Sequence, residues 1–134
     1  MDTITVVKRI RSRFDEVGSP AIIPKLKNGT FEAKLVDDGV EVDNLGTQPF
    51  LHWSAFQEAV CVLIRKGGRA LRGNAMNARL GDSDLPLDSV EGHVANVVYG
   101  KQIGEIVFRR ITPIACILIW SKICRPEPKE LVLL

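Results

Sequence analysis

The chain is short of the side chains that metal proteins most often use as ligands. Its 134 residues include two histidines and three cysteines. A structural zinc site takes four cysteine or histidine ligands at close spacings such as C-x2-C, and Cys61, Cys116 and Cys124 show no such spacing. Neither His52 nor His93 has a second histidine three or four residues away. The sequence therefore predicts no metal site and no cofactor.

Motifs for phosphate binding and covalent catalysis are also absent. The glycine-containing stretches 67–69 and 100–104 do not lie between a strand and a helix, where a glycine loop directs backbone N–H groups at a phosphate. No serine stands in a G-x-S-x-G turn, and the cysteines lie in apolar stretches that do not activate a thiol. We therefore expect a protein without enzymatic activity, whose cysteines are reduced core thiols.

Strong net charge and long apolar runs are missing as well. The 18 basic and 16 acidic side chains leave a net charge of +2, which is too small to indicate nucleic acid by itself. The most apolar run, residues 111–124, is shorter than the ~20 residues that cross a bilayer, and the first residues lack the pattern of a secretory signal. With 46% hydrophobic and 25% charged residues, the sequence predicts one globular domain over residues 1–134. We expect it in the cytoplasm of a prokaryote.

Apolar periodicity indicates an α+β fold. Spacings of three and four between apolar residues predict an N-terminal helix over residues 3–17. The stretch 18–30, which is broken by proline and Asn-Gly, is expected to be an irregular connector. Two alternating segments on either side of Asp37, Asp38 and Gly39 predict a β-hairpin, because glycine adopts the positive φ of a tight turn at little cost.

The rest of the chain is predicted to be mostly helical. The expected order is helix 53–66, helix 70–80, helix 88–99, strand 105–111, helix 114–124 and a last strand or docked tail at 130–134. The fold class is therefore α+β, with an N-terminal helix, a β-hairpin and a core of three to four helices with a strand after it. Three helices followed by a strand resemble a winged-helix arrangement, in which residues 88–99 would be the recognition helix.

The most specific local pattern is a run of positive charge. Five basic side chains lie between positions 65 and 79 with no acidic residue among them. Asparagine side chains in the same run offer hydrogen bonds to phosphates or base edges, and two further arginines would lie on the wing. We therefore expect a binding protein whose partner is nucleic acid. Its predicted contacts are Arg65, Lys66, Arg69, Arg72, Asn74, Asn77, Arg79, Arg109 and Arg110.

The apolar C-terminal third favours a second interpretation. Residues 111–124 are almost uniformly apolar, and burying such a helix on all sides needs more surrounding structure than a small domain easily supplies. Part of this segment would then face another subunit. In this alternative the protein is a self-associating scaffold or a regulatory subunit.

A third interpretation is a metal-dependent hydrolase or nuclease. Carboxylates on the predicted hairpin can converge on Mg²⁺, with Lys34 nearby. The four candidates are Asp37, Asp38, Glu41 and Asp43. The simpler interpretation, which we favour, assigns two of them to the turn and two to the solvent face of a strand.

Overall fold

Four helices and seven strands make up the chain in a computed structural model that describes all 134 residues. The architecture is the predicted α+β one. In chain order the elements are α1 (Thr3–Val17), β1 (Ala21–Pro24), β2 (Thr30–Val36), β3 (Gly39–Val42), β4 (Phe50–His52), α2 (Trp53–Arg65), β5 (Arg69–Leu71), α3 (Val90–Val97), α4 (Ile111–Trp120), β6 (Cys124–Glu127) and β7 (Glu130–Leu133). The strands form two antiparallel sheets, with the orders β1-β2-β3-β4 and β5-β7-β6. No helix combines the length and the apolar character that crossing a membrane requires.

The N-terminal helix is confirmed as α1. The Asp2 side chain accepts a hydrogen bond from the Thr5 backbone N–H at 2.8 Å, which satisfies one of the free donors of the first turn. Val6, Ile10 and Phe14 form the buried stripe of the helix. This stripe lies at spacings of four, and α1 packs against α2 and α4.

The β-hairpin is confirmed as β2 and β3, which are joined at Asp37 and Asp38. Its glycine has a different role from the predicted one, because Gly39 does not have a positive φ. A Cβ at this position would lie 2.0 Å from the carbonyl oxygen of Leu51 on β4. Glycine is therefore needed here because a neighbouring strand passes close to the hairpin.

The hairpin belongs to a wider sheet than the sequence predicted. The prediction of an irregular connector over residues 18–30 is wrong, because β1 pairs with β2. Ala21 and Ile23 of β1 are buried, while Pro24 is exposed on this edge strand, a position in a sheet that tolerates proline. The alternation covers only four residues, and such short strands are hard to detect by periodicity.

The predicted helix over residues 70–80 is wrong. Arg69–Leu71 is strand β5, which pairs with β7, and the chain then continues without a helix until α3. Gly73 has a φ of 84°, a left-handed backbone conformation that an α-helix excludes. Apolar spacing alone therefore gave a misleading signal in this segment.

The predicted strand over residues 105–111 is wrong as well. Ile106 pairs only through a single bridge to Arg79, and α4 already begins at Ile111. The three successive helices and the following strand are thus not present. The winged-helix resemblance is not confirmed.

The remaining helices are confirmed within a few residues, and they share one core. Thirty buried hydrophobic residues from both sheets and all four helices form the main cluster. Seven of the ten residues of α4 are buried, so the chain itself covers most of the apolar segment on which the subunit interpretation depends. Ser89 caps α3 by accepting a hydrogen bond from the Gly92 N–H at 3.0 Å. The C-terminal tail is strand β7.

Candidate functional site

The basic run between positions 65 and 79 does not form one open positive surface. Lys66 Nζ lies 2.6 Å from a carboxylate oxygen of Asp88. Arg69 Nη2 lies 2.7 Å from a carboxylate oxygen of Glu130. Each of these two cations is therefore neutralised by an adjacent acid.

Two further arginines of the run hold backbone carbonyl groups. The Arg72 guanidinium donates to the carbonyl oxygens of Glu127 and Glu130 at 2.7 and 2.6 Å, which fixes the turn between β6 and β7. Arg79 donates to the Gly104 carbonyl at 3.1 Å but remains exposed. Arg72 therefore has a structural role, whereas the charge of Arg79 is still accessible.

The other predicted contacts in this run lie at the surface. Arg65 is exposed, and its Nη2 lies 3.5 Å from Nδ1 of His93. The Asn74 side chain accepts a hydrogen bond from the Met76 N–H, which stabilises its own loop. Asn77 is exposed.

The four hairpin carboxylates do not converge. Their oxygens do not gather at a spacing that suits one ion. Asp43 instead accepts a hydrogen bond from the Glu32 N–H at 2.9 Å, and Glu41 lies opposite Lys34 in the sheet. The geometry therefore gives no support to a hydrolase built on this hairpin.

A groove of about 1070 Å³ opens between the loop 44–48 and the segment 99–110. Three of its lining residues are basic and none is acidic. The lining residues are Asn44, Leu45, Gly46, Thr47, Gln48, Ala75, Met76, Tyr99, Lys101, Ile106, Val107, Phe108, Arg109 and Arg110. We call this feature the cationic groove.

One wall of the cationic groove is the loop between β3 and β4. The Val42 N–H donates to the Pro49 carbonyl at 2.9 Å across the base of this loop, and the Gln48 N–H donates to the Leu45 carbonyl at 3.1 Å. The Leu45 side chain is buried in the main core. Because the loop is anchored in this way, the amides of Asn44 and Gln48 have defined positions in the wall.

The other wall is an irregular segment that is nevertheless well fastened. The Lys101 N–H donates to the Ala95 carbonyl at 3.0 Å, and the Gly104 N–H donates to the Leu80 carbonyl at 2.8 Å. The Val107 side chain is buried in a small second hydrophobic cluster. These contacts hold residues 99–110 in place without a strand.

Arg110 is the central side chain of the groove. It is only 7% exposed, and its guanidinium carbon lies 3.6 Å from the centroid of the Tyr99 ring and 4.7 Å from that of the Phe108 ring. Its Nη2 donates to Gln48 Oε1 at 2.6 Å, which links the two walls. Its Nε is buried without a hydrogen-bond partner. The guanidinium is therefore rigidly held between aromatic faces and retains an unused donor.

A buried acid lies behind Arg110. Glu91 is 1% exposed, and its carboxylate accepts a hydrogen bond from the Arg110 backbone N–H at 2.7 Å. Burial raises the pKa of Glu91 from 4.5 to about 7, although the Arg110 N–H and the Arg110 charge act in the opposite direction. Near neutral pH the carboxyl group is thus partly protonated. It compensates the Arg110 charge only in part.

Two lining cations have no acidic partner. Neither Arg109 nor Lys101 takes part in any ion pair of the structure, and Arg109 is exposed. The Asn44 side-chain oxygen is buried and has no hydrogen-bond donor. The groove can therefore offer two free cations to a ligand, whereas the buried Asn44 oxygen has no surface that a ligand could reach.

Sequence reasoning predicted Arg109 and Arg110 but missed the rest of the groove. Tyr99 and Lys101 belong to the same segment, and this mixture of aromatic and basic residues is a signal that could have been detected. The loop 44–48 carries no such signal, because its contact with Arg110 depends on the tertiary fold. The ligand chemistry of the groove must accordingly be inferred from its own side chains. No family model, curated protein or solved structure matches this chain.

Proposed function

We propose that this protein is a non-enzymatic binding protein for single-stranded nucleic acid, which it holds in the cationic groove. One observation carries the proposal: three basic residues line the groove and no carboxylate is among the lining residues. The sugar–phosphate backbone of nucleic acid is a polyanion that such a surface would neutralise. The counterions released from the phosphates would then drive binding.

Free cations are the first requirement for phosphate binding. Arg109 and Lys101 have no carboxylate partner, so binding a phosphate breaks no existing ion pair. Arg79 pairs with Ile106 of the groove through a backbone β-bridge, and its exposed side chain adds a further positive charge next to the groove. Among the contacts predicted from the sequence, these arginines are the ones that we place along the bound strand.

Unpaired bases explain the remaining chemistry of the groove walls. Tyr99 and Phe108 are half-buried rings that each contact Arg110 on one face, and a base can stack on the part of each ring that stays exposed. The side-chain N–H groups of Asn44 and Gln48 can donate to base edges. In a duplex both the faces and the Watson–Crick edges of the bases are covered.

A cytoplasmic location is part of the proposal. All three cysteines are free, and the cytoplasm is the compartment that keeps thiols reduced. Single-stranded nucleic acid is present in the same compartment.

The decisive experiment measures the anisotropy of labelled oligo(dT) and oligo(U) at several salt concentrations. Affinity falls as salt rises, and the double variant Arg109→Ala/Lys101→Ala should make the slope of log affinity against log salt less steep by about 1.4. Each lost single-strand phosphate contact contributes about 0.7 to that slope. The matched control is Lys66→Ala/Arg69→Ala, which removes two cations that already have carboxylate partners. This control should leave the slope unchanged.

Three results would contradict the proposal. One is the absence of binding to either oligonucleotide. Another is equal binding of duplex DNA, which would remove the role of the rings and amides. The third is a salt dependence that becomes as much weaker in the Lys66/Arg69 control as in the Arg109/Lys101 variant. This result would place the phosphate contacts on the 65–79 run instead.

A further inference from the structure

A second group of chemically active side chains lies between α2 and α3. Glu58 and Cys61 are on α2 and His93 is on α3, and none of them lines the cationic groove. One carboxylate oxygen, the thiol sulfur and one ring nitrogen lie within 4.8 Å of one another. We propose that these three side chains bind a zinc ion, and we call them the α2–α3 site.

The fold brings the three donors together on a rigid support. Residues three apart on a helix share a face, so Glu58 and Cys61 point to the same side of α2. His93 is 7% exposed at its side chain and is therefore held firmly by the packing of α3 against α2. The Glu58 side chain is 31% exposed and Cys61 is only partly buried, which leaves a path for an ion from solvent.

The donor set is characteristic of zinc. Thiolate, imidazole and carboxylate are its usual ligands, whereas Mg²⁺ and Ca²⁺ take oxygen ligands almost exclusively. Three protein ligands leave the fourth tetrahedral position for water, as in sites where zinc stays accessible. The sequence prediction of no zinc site is thereby challenged. That prediction was based on the spacing of cysteines and histidines alone. It did not include a glutamate one helical turn from a cysteine.

A nucleophilic cysteine is the obvious alternative, and the geometry argues against it. His93 Nε2 lies 2.9 Å from Glu58 Oε1, and His93 Nδ1 lies 3.5 Å from Arg65 Nη2. Both ring nitrogens are therefore engaged by groups other than Cys61, which makes no hydrogen bond to His93. A general base needs a free nitrogen that faces the thiol.

Loading the site moves two protons. Without the ion, Nε2–H donates to Glu58 and the Nδ1 lone pair accepts from Arg65. Zinc takes the Nε2 lone pair, so the ring proton must be on Nδ1, and the Cys61 thiol releases its proton to solvent. The net result is one proton released for each ion bound. Arg65 can no longer donate to Nδ1, and its exposed side chain is free to move away.

The test uses Co²⁺ as a spectroscopic substitute for zinc, with displacement by Zn²⁺. The full-length protein should show the visible bands of tetrahedral Co²⁺ and a thiolate-to-cobalt charge-transfer band. Cys61→Ser should abolish the charge-transfer band, whereas the matched control Cys124→Ser should retain it. Glu58→Gln should weaken zinc binding by more than the roughly 10- to 100-fold that the loss of an outer-shell contact costs.

Arg65→Ala separates a metal site from a merely structural cluster. This variant removes a competing partner of His93 and a nearby positive charge, so zinc should bind more tightly than to the wild type. Because Arg65 is exposed, the variant is expected to fold. Absence of cobalt bands in the folded wild type, persistence of the charge-transfer band in Cys61→Ser, or weaker zinc binding by Arg65→Ala would each overturn the proposal. None of these measurements involves nucleic acid, so they do not depend on the function of the groove.

Discussion

Replacement of Glu91 by glutamine is the sharpest test of the buried charge behind the groove. The carboxyl group is 1% exposed, and its main stabilising contact is the Arg110 backbone N–H. Glutamine keeps the size of the side chain and an oxygen that accepts this hydrogen bond, but it cannot ionise. The variant therefore resembles the protonated form of Glu91 at every pH.

The expected magnitude follows from the pKa of Glu91 in the folded and unfolded states. The pKa rises from 4.5 to about 7 on folding, and each pH unit corresponds to about 1.4 kcal/mol, which gives roughly 3 kcal/mol. Below 4.5 the group is protonated in both states, and the folded state bears no cost. As pH rises towards 7 the unfolded chain loses the proton first, so the free energy of unfolding of the wild type falls. Above 7 no further change comes from this group.

The assay is urea denaturation of wild type and Glu91→Gln at pH 5 and at pH 8. The difference in unfolding free energy between the two proteins should shift in favour of the variant by most of that ~3 kcal/mol between the two pH values. Contributions from other titrating groups cancel in this comparison. Glu41→Gln, at an exposed position on β3, controls for the loss of one negative charge. A difference that stays constant from pH 5 to pH 8 would refute the inference that Glu91 carries a burial cost.

Three further substitutions test how the framework is held. Gly39→Ala should destabilise the fold by about 1–3 kcal/mol in thermal or urea unfolding, because the added Cβ would lie 2.0 Å from the Leu51 carbonyl oxygen. An unchanged stability would contradict the close approach of β4. Gly92→Ala should cost a similar amount, since its Cβ would lie 1.9 Å from the Pro86 carbonyl oxygen, and a stabilised variant would show that helix propensity dominates there instead. Arg72→Ala removes a charged donor from two carbonyl groups and should cost about 2 kcal/mol, with faster hydrogen exchange confined to the β6–β7 hairpin. Lys66→Ala is the matched surface control, which should change stability by no more than about 1 kcal/mol because its ion pair with Asp88 is exposed.

Long periodic segments and clear turn motifs allowed several elements to be predicted from the sequence. The helices α1 and α2 and the hairpin β2–β3 follow from local spacing, because each buries a stripe or a face that the chain itself repeats. The helix α4 was predicted instead from its continuous apolar run. The failures lie where tertiary contacts decide the conformation. β5 exists because β7, which is about sixty positions further along the chain, pairs with it. The isolated bridge at Ile106 depends in the same way on Arg79.

The candidate sites were harder to predict from the sequence than the fold was. The run 65–79 looked like one positive surface, yet the acids that neutralise Lys66 and Arg69 are 22 and 61 positions away in the chain. Local charge counting cannot detect partners at such distances. The pairing of Glu58 with His93 spans 35 positions and is equally invisible to a search for ligand spacing. Arg109 and Arg110 were predicted as contacts on a wing that the structure does not form, and they line the groove instead.

The first turn of α3 explains why the two proposed sites lie near each other. Successive residues of an α-helix are rotated by about 100°, so Glu91 and His93, two positions apart, point to nearly opposite sides of α3. Glu91 reaches the backbone behind the cationic groove, and His93 reaches Glu58 on α2. Between them Gly92 lets the helix contact the Pro86 carbonyl directly, which fixes its position. Burying an acid and a histidine in a single turn costs stability that apolar side chains would not. The hydrogen bonds of Glu91 to Arg110 and of His93 to Glu58 offset part of this cost, and in our two proposals the same rigid turn supports both binding sites.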